Sequence, residues 1–333
     1  METLRVPCRV AVVGTGSAGM RHVRVLSQIA TVHPVVVPRR SERAQELEAA
    51  GLTVARDIRQ AAEMGAKFCI VATDTGRHVE DGLAALECGL DVLVEKPLAP
   101  DARQGRVLND RATKVSRKLF VGCVLRFSDS LNQFRKLLNR IGRLHSVRVE
   151  CQSYLPEWRP QRPYRDFYSA RAEEGGVLRD LIHEIDYAAW LFGWPVAVEA
   201  RIRNLGRLGI AAEEIADLIW EGEGGVVVSL TLDYLSRPAK RSMTAMGECG
   251  TIEWDGIERT VKLALAGTPC EVVHSSQTSD GIFLDQANAF INAAQNSRDF
   301  RLATGDEGVR ALAVCDAARR ASASRREESV EYP

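Results

Sequence analysis

A glycine-rich turn near the N-terminus constrains the fold more than any other feature of the chain. The turn consists of Gly14, Thr15, Gly16, Ser17, Ala18 and Gly19. It follows the apolar run 9–13 directly, and apolar residues recur at helical spacing over 18–30. A G-x-G-x-x-G pattern is informative in this strand–turn–helix context and weak outside it.

Each glycine of the turn has a physical role in that context. Gly14 permits the tight turn, Gly16 lets the backbone approach a pyrophosphate, and Gly19 lets the helix pack closely against the strand. The helix N-terminus adds amide donors and the positive end of the helix dipole. An ordinary glycine-rich turn is the alternative, but the context favours a dinucleotide-binding site made from all six residues of the turn.

Short apolar runs alternate with helical patterns through the first third of the chain. The predicted strands are 9–13, 35–37, 67–72, 91–94 and 119–125, and the predicted helices are 18–30, 41–50 and 78–88. Wholly apolar strands separated by helices indicate a parallel sheet with right-handed crossovers. The pattern predicts a doubly wound, α/β Rossmann domain over residues 1–123.

The pattern changes after about residue 125. The predicted helices are 130–141, 177–192, 281–297 and 305–323, and the predicted strands are 146–152, 196–206, 213–221, 225–235, 240–247, 250–255, 259–265, 268–274 and a short one in the C-terminal tail. Successive strands without intervening helices indicate antiparallel pairing. Residues 124–333 are therefore expected to form a second α/β domain with a large, mostly antiparallel open sheet.

Charge and cysteine content exclude several classes of protein. Lys and Arg together number 44, as do Asp and Glu, so no basic excess points to nucleic acid or an anionic membrane surface. No stretch is long and apolar enough to span a bilayer. The eight cysteines lie in apolar runs without a C-x-x-C pair, which is typical of reduced core thiols in a cytoplasmic protein. No metal site is predicted.

The end of the second strand carries a clue to the cofactor. Pro38 stands where an NAD-binding fold usually has an acidic residue for the ribose hydroxyls, and Arg39, Arg40 and Ser41 follow. Two guanidinium groups and a hydroxyl suit a 2′-phosphate. Solvated arginines at a helix start are the alternative. The pattern favours NADP(H), with NAD(H) possible.

The tripeptide Glu95-Lys96-Pro97 stands at the carboxyl end of a predicted strand, where ligands bind in open α/β sheets. Together with the glycine turn it resembles the Gfo/Idh/MocA oxidoreductases, the relatives of glucose–fructose oxidoreductase and inositol dehydrogenase. Further segments similar to the family are 71–99, 121–128, 175–193, 246–256 and 304–322. The resemblance covers essentially the whole chain.

The resemblance implies hydride transfer between a nicotinamide cofactor and a hydroxyl or keto carbon of a sugar, nucleotide sugar or cyclitol. It implies a homodimer or homotetramer, and it assigns Lys96 to the reacting oxygen and its proton. A partly desolvated lysine has a lowered pKa that suits this task. The other cofactor contacts that it implies are Thr73, His78, Glu95, Trp158 and Arg159.

The predicted helix 177–192 carries the other residues of the expected active site. Many family members have Asp and His four residues apart, whereas here Asp180 and His183 are three apart, with Asp186 after a further three. This spacing still places them on one helical face. His183 is expected to be the general acid or base, and Asp180 to contact substrate or Lys96. Asp186 either orients His183 or serves packing.

The loop 154–174 is rich in arginine and aromatic residues: Tyr154, Trp158, Arg159, Arg162, Tyr164, Arg165, Tyr168 and Arg171. Such a mixture suits an anionic, ring-containing ligand, for example a nucleotide sugar or an acidic sugar. A solvated loop held by aromatic packing is the alternative. Tyr154 and Tyr164, with Arg126 and Tyr234 elsewhere, are the remaining candidates for the substrate cleft.

Two other functions remain open for this fold. One is a redox-neutral reaction that uses tightly bound NAD(H) only transiently. The other is a nicotinamide-binding regulator without catalysis, against which intact Lys96 and His183 argue.

Overall fold

The computed structural model describes residues 7–293, 297 and 299–333. The end of the predicted helix 281–297 therefore lies partly outside the described residues. The described chain forms two units. The first comprises residues up to Ala99 with Arg103–Val124 and Thr278–Val309, and the second comprises Pro100–Ala102, Leu125–Gln277 and Arg310–Pro333.

The strands are β1 (Cys8–Val13), β2 (Val32–Val37), β3 (Ala66–Val71), β4 (Asp91–Val94), β5 (Leu119–Val121), β6 (Leu144–Gln152), β7 (Ala197–Arg203), β8 (Ile215–Glu221), β9 (Val227–Asp233), β10 (Lys240–Gly247), β11 (Gly250–Asp255), β12 (Thr260–Leu265), β13 (Glu271–His274) and β14 (Glu328–Ser329). The α-helices are α1 (Ser17–Leu26), α2 (Ser41–Ala49), α3 (Ile58–Glu63), α4 (His78–Glu87), α5 (Ala102–Lys114), α6 (Asp129–Leu137), α7 (Val177–Asp180), α8 (Ile182–Phe192), α9 (Ser279–Ala293) and α10 (Gly305–Ser324). Within the described ranges, no helix combines the length and apolarity needed to cross a bilayer.

The first unit contains a parallel sheet in the order β2-β1-β3-β4-β5. A further parallel bridge pairs Val36 of β2 with Val54, which lies outside the named strands. With this bridge the order is that of the Rossmann fold. The strands are apolar throughout their middles because helices cover both faces of the sheet, as predicted.

One helix from late in the sequence belongs to this first unit. In α9, Phe290 packs edge-on against Phe68 at 5.4 Å and Phe120 at 6.0 Å between ring centroids. Near its start, Asp280 accepts two hydrogen bonds from Arg24. The uninterrupted second domain expected over 124–333 therefore needs correction at Thr278–Val309. The division itself falls after Val124, next to the predicted boundary.

The second unit contains a sheet in the order β13-β12-β11-β10-β6-β9-β8-β7-β14. β6 and β9 pair in parallel, and the other neighbours are antiparallel, so the sheet is mostly antiparallel as predicted. The buried face packs against helices: Tyr187 of α8 lies edge-on to Trp254 of β11 at 5.5 Å. Trp254 also donates its indole N–H to Ser130 of α6 at 2.9 Å.

The helix expected over 177–192 is interrupted. Leu181 adopts φ −99° and ψ 28°, which ends α7 and precedes α8. Asp180 and His183 therefore lie on two different helices, and the prediction of one continuous helical face is wrong at this point. On either side of the break, Asp180 is hydrogen-bonded to Tyr234 and Asp186 to Arg126. Both partners are distant in the sequence, so the local spacing of 177–192 does not predict them.

Candidate active site

The glycine turn has the geometry that its sequence predicts. Gly14 has φ +91°, and a Cβ there would lie 2.5 Å from the carbonyl oxygen of Ala72. A Cβ on Gly19 would overlap the carbonyl oxygen of Gly14, whereas one on Gly16 would meet nothing within 4 Å. The backbone at Gly16 therefore faces open space, and only glycine fits the two positions on either side of it.

The start of α1 offers donors to a ligand. The N-cap residue, Gly16, has no side chain, so no N-cap side chain accepts hydrogen bonds from the amides of the first turn. Ser17 is exposed, while Thr15 and Ala18 are half-buried. The chain leaves β1 toward β2 on one side, and β3 lies on the other, which makes this crevice a topological switch point. The turn therefore fits the pyrophosphate of a dinucleotide.

Arg39, at the end of β2, is ion-paired with Asp81, whose side chain is almost fully buried. Asp81 also accepts a 2.8 Å hydrogen bond from the Thr73 hydroxyl. Arg40 and Ser41 are exposed, and Arg40 caps α2 without a side-chain hydrogen bond. Sequence reasoning missed Asp81. Its signal was a second carboxylate in the first turn of α4, directly after Glu80.

A buried pair links the glycine turn's helix to Lys96. His22 of α1 is 1% exposed, and its Nε2 lies 2.7 Å from Glu95 Oε1. The other Glu95 oxygen accepts the backbone N–H of Lys96 at 3.2 Å. Burial alone would raise the pKa of Glu95, but His22 and Lys96 together hold it below its ordinary value. Sequence reasoning missed His22, a histidine on the apolar face of α1.

His78 is buried, and both of its ring nitrogens contact backbone carbonyls. The residue is 1% exposed, with Nδ1 2.7 Å from the Pro97 carbonyl oxygen and Nε2 3.0 Å from that of Thr73. Burial lowers the pKa of His78, although the two carbonyl contacts oppose this. The His78 ring connects the Thr73 loop to the residue after Lys96, and direct contact of His78 with the cofactor stays a prediction.

In the second unit, Tyr234 holds Asp180. The Tyr234 hydroxyl donates a 2.7 Å hydrogen bond to Asp180 Oδ2, with Asp180 3% and Tyr234 0% exposed. Burial, and then the Asp180 carboxylate, raise the pKa of Tyr234 well above its usual value, so the hydroxyl stays a donor. Trp158 packs edge-on against the Tyr234 ring at 5.4 Å. Tyr234, expected to contact substrate, is buried as the support of Asp180.

His183 stands in the first turn of α8, half-buried. It follows the break at Leu181, so its backbone belongs to a different helix from that of Asp180.

Arg126 and Asp186 form a buried ion pair. The guanidinium donates from Nε at 2.9 Å and from one terminal nitrogen at 2.7 Å to the two oxygens of Asp186. The two side chains are 0% and 2% exposed. The charge of Arg126 is neutralised inside the core, and contact of Arg126 with substrate stays a prediction. Of the two roles left open for Asp186, this geometry gives it a structural one.

A second buried ion pair was missed from the sequence. Glu184 of α8 is fully buried, and its Oε1 accepts a 2.8 Å hydrogen bond from Arg241 Nε. Burial would lower the pKa of Arg241, but the Glu184 charge raises it above its usual range. The signal for this pair was an acidic residue beside His183 on a helix that is otherwise apolar.

The predicted tyrosines of the loop 154–174 anchor it. Tyr154 lies under the Arg237 guanidinium, 3.2 Å from its ring centroid, and Arg237 also pairs with Glu157 at 2.8 Å. Tyr164 donates its hydroxyl to the Leu208 carbonyl at 2.8 Å. Three short 3₁₀ turns, Leu155–Glu157, Tyr164–Asp166 and Tyr168–Ala170, order the loop between these anchors.

Two family models match the chain. The one described as "Oxidoreductase family, NAD-binding Rossmann fold" matches residues 8–123, and the one described as "GFO/IDH/MocA C-terminal domain" matches residues 132–253. Myo-inositol dehydrogenase Hyg17 of Streptomyces leeuwenhoekii is 30% identical over 189 residues, which span only 55% of each chain. Inositol 2-dehydrogenase of Leifsonia xyli subsp. xyli (strain CTCB07) is 30% identical over 240 residues, covering 69% of this chain and 67% of that relative.

Among solved structures, levoglucosan dehydrogenase in complex with NADH and L-sorbose superposes with a TM-score of 0.88. The match covers 98% of this chain and 100% of that one at 18% identity, so it shows the fold. One family model matches the N-terminal part of the chain, which carries the glycine turn and Glu95-Lys96-Pro97, and the other matches the part that follows. The chain belongs to the Gfo/Idh/MocA family of NAD-binding oxidoreductases.

Proposed function

We propose that the protein transfers a hydride between a nicotinamide cofactor and a CH–OH or keto carbon of a sugar, nucleotide sugar or cyclitol. The observation that carries the proposal is the His22–Glu95 pair, which ties the helix of the phosphate-binding turn to Lys96 at the carboxyl edge of the same sheet. The names of the relatives, inositol and levoglucosan dehydrogenases, support the substrate class.

Each residue has a definite part in this reaction. The nicotinamide, when bound, supplies or accepts the hydride. Lys96 holds the reacting oxygen and its ammonium stabilises negative charge there, while His183 donates or accepts the proton of that hydroxyl. Asp180, fixed by Tyr234, orients a polar group of the substrate.

The test compares Lys96→Ala and His183→Ala with Lys67→Ala, an exposed lysine of the same sheet. We expect the first two variants to fold and bind cofactor but to lose roughly 10²- to 10⁴-fold in kcat, the usual contribution of a general acid or base. Lys67→Ala should keep wild-type turnover. Full turnover in both site variants would refute the proposal, and product formation without net change in nicotinamide absorbance would support the redox-neutral alternative.

We also propose that NADP(H) is preferred. The support is the exposed Arg40 and Ser41 at the N-terminus of the nine-residue helix α2, where amides and dipole favour a phosphate. Arg39 contributes less, because Asp81 already pairs with it. Titration with NADPH and NADH should show Arg40→Asp weakening NADPH selectively. Equal affinities for both cofactors, unchanged in the variant, would contradict the preference. Contact of Trp158 and Arg159 with the cofactor stays a prediction.

A cytoplasmic, homo-oligomeric protein is proposed as well. Four of the eight cysteines, Cys69, Cys123, Cys151 and Cys315, are buried free thiols, which suits a reducing compartment. Cys249 and Cys270 are exposed, so the expectation of core positions is wrong for these two. Ile219 of β8 and Val227 of β9 are 41% and 43% exposed on the same face of the nine-stranded sheet. Sedimentation of the purified protein tests for the dimer or tetramer that would cover this face.

A further inference from the structure

Three arginines of the loop 154–174 have no carboxylate partner among the residues that the structure describes. Arg171 pairs with Glu174, and Glu157 is taken by Arg237. Arg159, Arg162 and Arg165 are all exposed, and within the described ranges none of them comes within ion-pair distance of a carboxylate. The loop thus presents three positive charges that its own acidic residues do not neutralise. We call Arg159, Arg162 and Arg165 the arginine cluster.

The guanidinium groups of the arginine cluster are held against aromatic rings. Those of Arg159 and Arg162 each lie 5.1 Å from the centroid of the same Phe167 ring. That of Arg165 lies 5.1 Å from the Tyr164 ring, and its Nε donates to the Leu208 carbonyl at 3.1 Å. Two exposed guanidinium groups beside one ring repel each other weakly through water, and an anion between or beside them would turn that repulsion into attraction. The stacking leaves terminal N–H groups for such an anion.

The loop is fixed beside the predicted substrate residues of the second unit. At one end, Trp158 contacts Tyr234, whose hydroxyl binds Asp180. At the other end, Gly175 and Gly176 donate backbone hydrogen bonds to Arg171 and Ser169 at 2.8 and 3.1 Å, and α7 begins directly after them. The arginine cluster therefore lies in the stretch of chain between two attachments to the Asp180 region.

We propose that the arginine cluster binds a phosphate or diphosphate group of the substrate, which makes that substrate a phosphorylated or nucleotide-linked sugar rather than a neutral sugar or free cyclitol. Paired N–H donors of fixed arginines match phosphate oxygens, and three charges suit a diphosphate. A neutral ligand would leave these charges to water alone and gain no ion pair from them. The inference deepens the proposed function and rests on it for the identity of the site.

The binding test uses the protein saturated with NADPH, so that the phosphate-binding turn is filled. UDP and UDP-glucose are titrated calorimetrically against wild type, the double variant R162Q/R165Q and the control R203Q. Arg203 is an exposed arginine paired with Asp217, so R203Q loses one such positive charge elsewhere in the unit. Arg159 is left intact because it is also a candidate for cofactor contact.

We expect the double variant to lose on the order of 100-fold in affinity for both probes, about tenfold for each charge-assisted contact removed. R203Q should bind as wild type does. Raising the ionic strength should weaken wild-type binding more than that of R162Q/R165Q. Absence of UDP and UDP-glucose binding in the wild type, or equal affinity in wild type and double variant, would overturn the proposal.

A second experiment, which compares substrates by steady-state turnover, separates this inference from the proposed function. Glucose, glucose 1-phosphate, UDP-glucose, glucuronate and myo-inositol are compared as substrates with the same three proteins. A lower KM for phosphorylated members that R162Q/R165Q abolishes supports the inference. A preference for glucuronate alone, or for a neutral substrate, would overturn it. Arginine-dependent UDP binding with no hydride transfer between any of these compounds and the oxidised cofactor would instead contradict the proposed function.

Discussion

The two units hold their candidate residues by different means. The first unit relies mainly on backbone, in the glycine turn, the uncapped amides of α1 and the carbonyls of Thr73 and Pro97, with the His22–Glu95 pair as its side-chain exception. The second unit relies on side-chain pairs between distant positions. Tyr234 and Asp180 are 54 residues apart, and Arg241 and Glu184 are 57 apart. Backbone sites follow from local glycine patterns, whereas side-chain pairs need the whole unit to fold.

The segment 180–186 illustrates the second case. From the sequence, Asp180, His183 and Asp186 form one stripe with similar chemistry. In the structure the break at Leu181 separates the first two, and Asp186 is bound by Arg126. The partner of each residue therefore decides its role more than its spacing does.

The largest expected effect on stability comes from breaking the buried Arg126–Asp186 ion pair of the second unit. Asp186→Leu leaves the Arg126 charge buried alone, so the free energy of unfolding should fall by about 3–5 kcal/mol. The double variant Arg126→Met/Asp186→Leu should recover much of that loss, since no lone charge remains. Urea unfolding of both variants measures the coupling, and additive losses would show that the pair does not stabilise as a unit.

Tyr234→Phe tests the support of Asp180. Losing a hydrogen bond to a buried carboxylate should cost about 1.5–3 kcal/mol of unfolding free energy and lower kcat through a displaced Asp180. Tyr332→Phe, which removes a hydrogen bond to the uncharged backbone carbonyl of Pro195, should cost less. Equal effects of the two variants would show that Asp180 does not depend on Tyr234.

The glycine turn offers a matched pair on the cofactor side. Gly19→Ala drives a methyl group into the backbone at Gly14 and should cost about 1–3 kcal/mol of stability. Gly16→Ala meets no neighbour, so it should leave stability nearly unchanged and weaken cofactor binding. Thermal unfolding and NADPH titration separate the two effects. Comparable loss of stability in both variants would refute the assigned roles.

The smallest expected effect concerns pH. The folded pKa of His78 lies below its ordinary value of about 6.5, so the unfolded chain takes up the proton first as pH falls. His78 therefore contributes stability that is present above that value and is lost as pH falls below it. Glu95, whose folded pKa is lowered, adds a loss only at more acidic pH.

Unfolding measured from pH 7.5 to 5.5 should show a smaller loss of stability in His78→Gln than in wild type. An identical pH dependence in the two proteins would mean that His78 is not the group responsible.

The parallel sheet was predictable because its strands are apolar on both faces and each ends at a turn residue. Five predicted strands match β1 to β5, with bounds that differ by a few residues. Helices α3 and α5 were missed. The first is only six residues long, and its signal is the Asp57 side chain that accepts the Gln60 N–H at 2.8 Å.

The sequence by itself determined the family, the two-part fold, the glycine turn and the position of Lys96 at a strand end. These depend on periodicity and on backbone geometry that only glycine permits, both of which are local properties. Tertiary structure alone decided that α9 packs with the first unit, that His78 and Tyr234 are buried beside their hydrogen-bond partners, and that Arg126 forms a core ion pair with Asp186. A buried polar group must find its partner wherever the fold brings one, and linear spacing does not encode that partner.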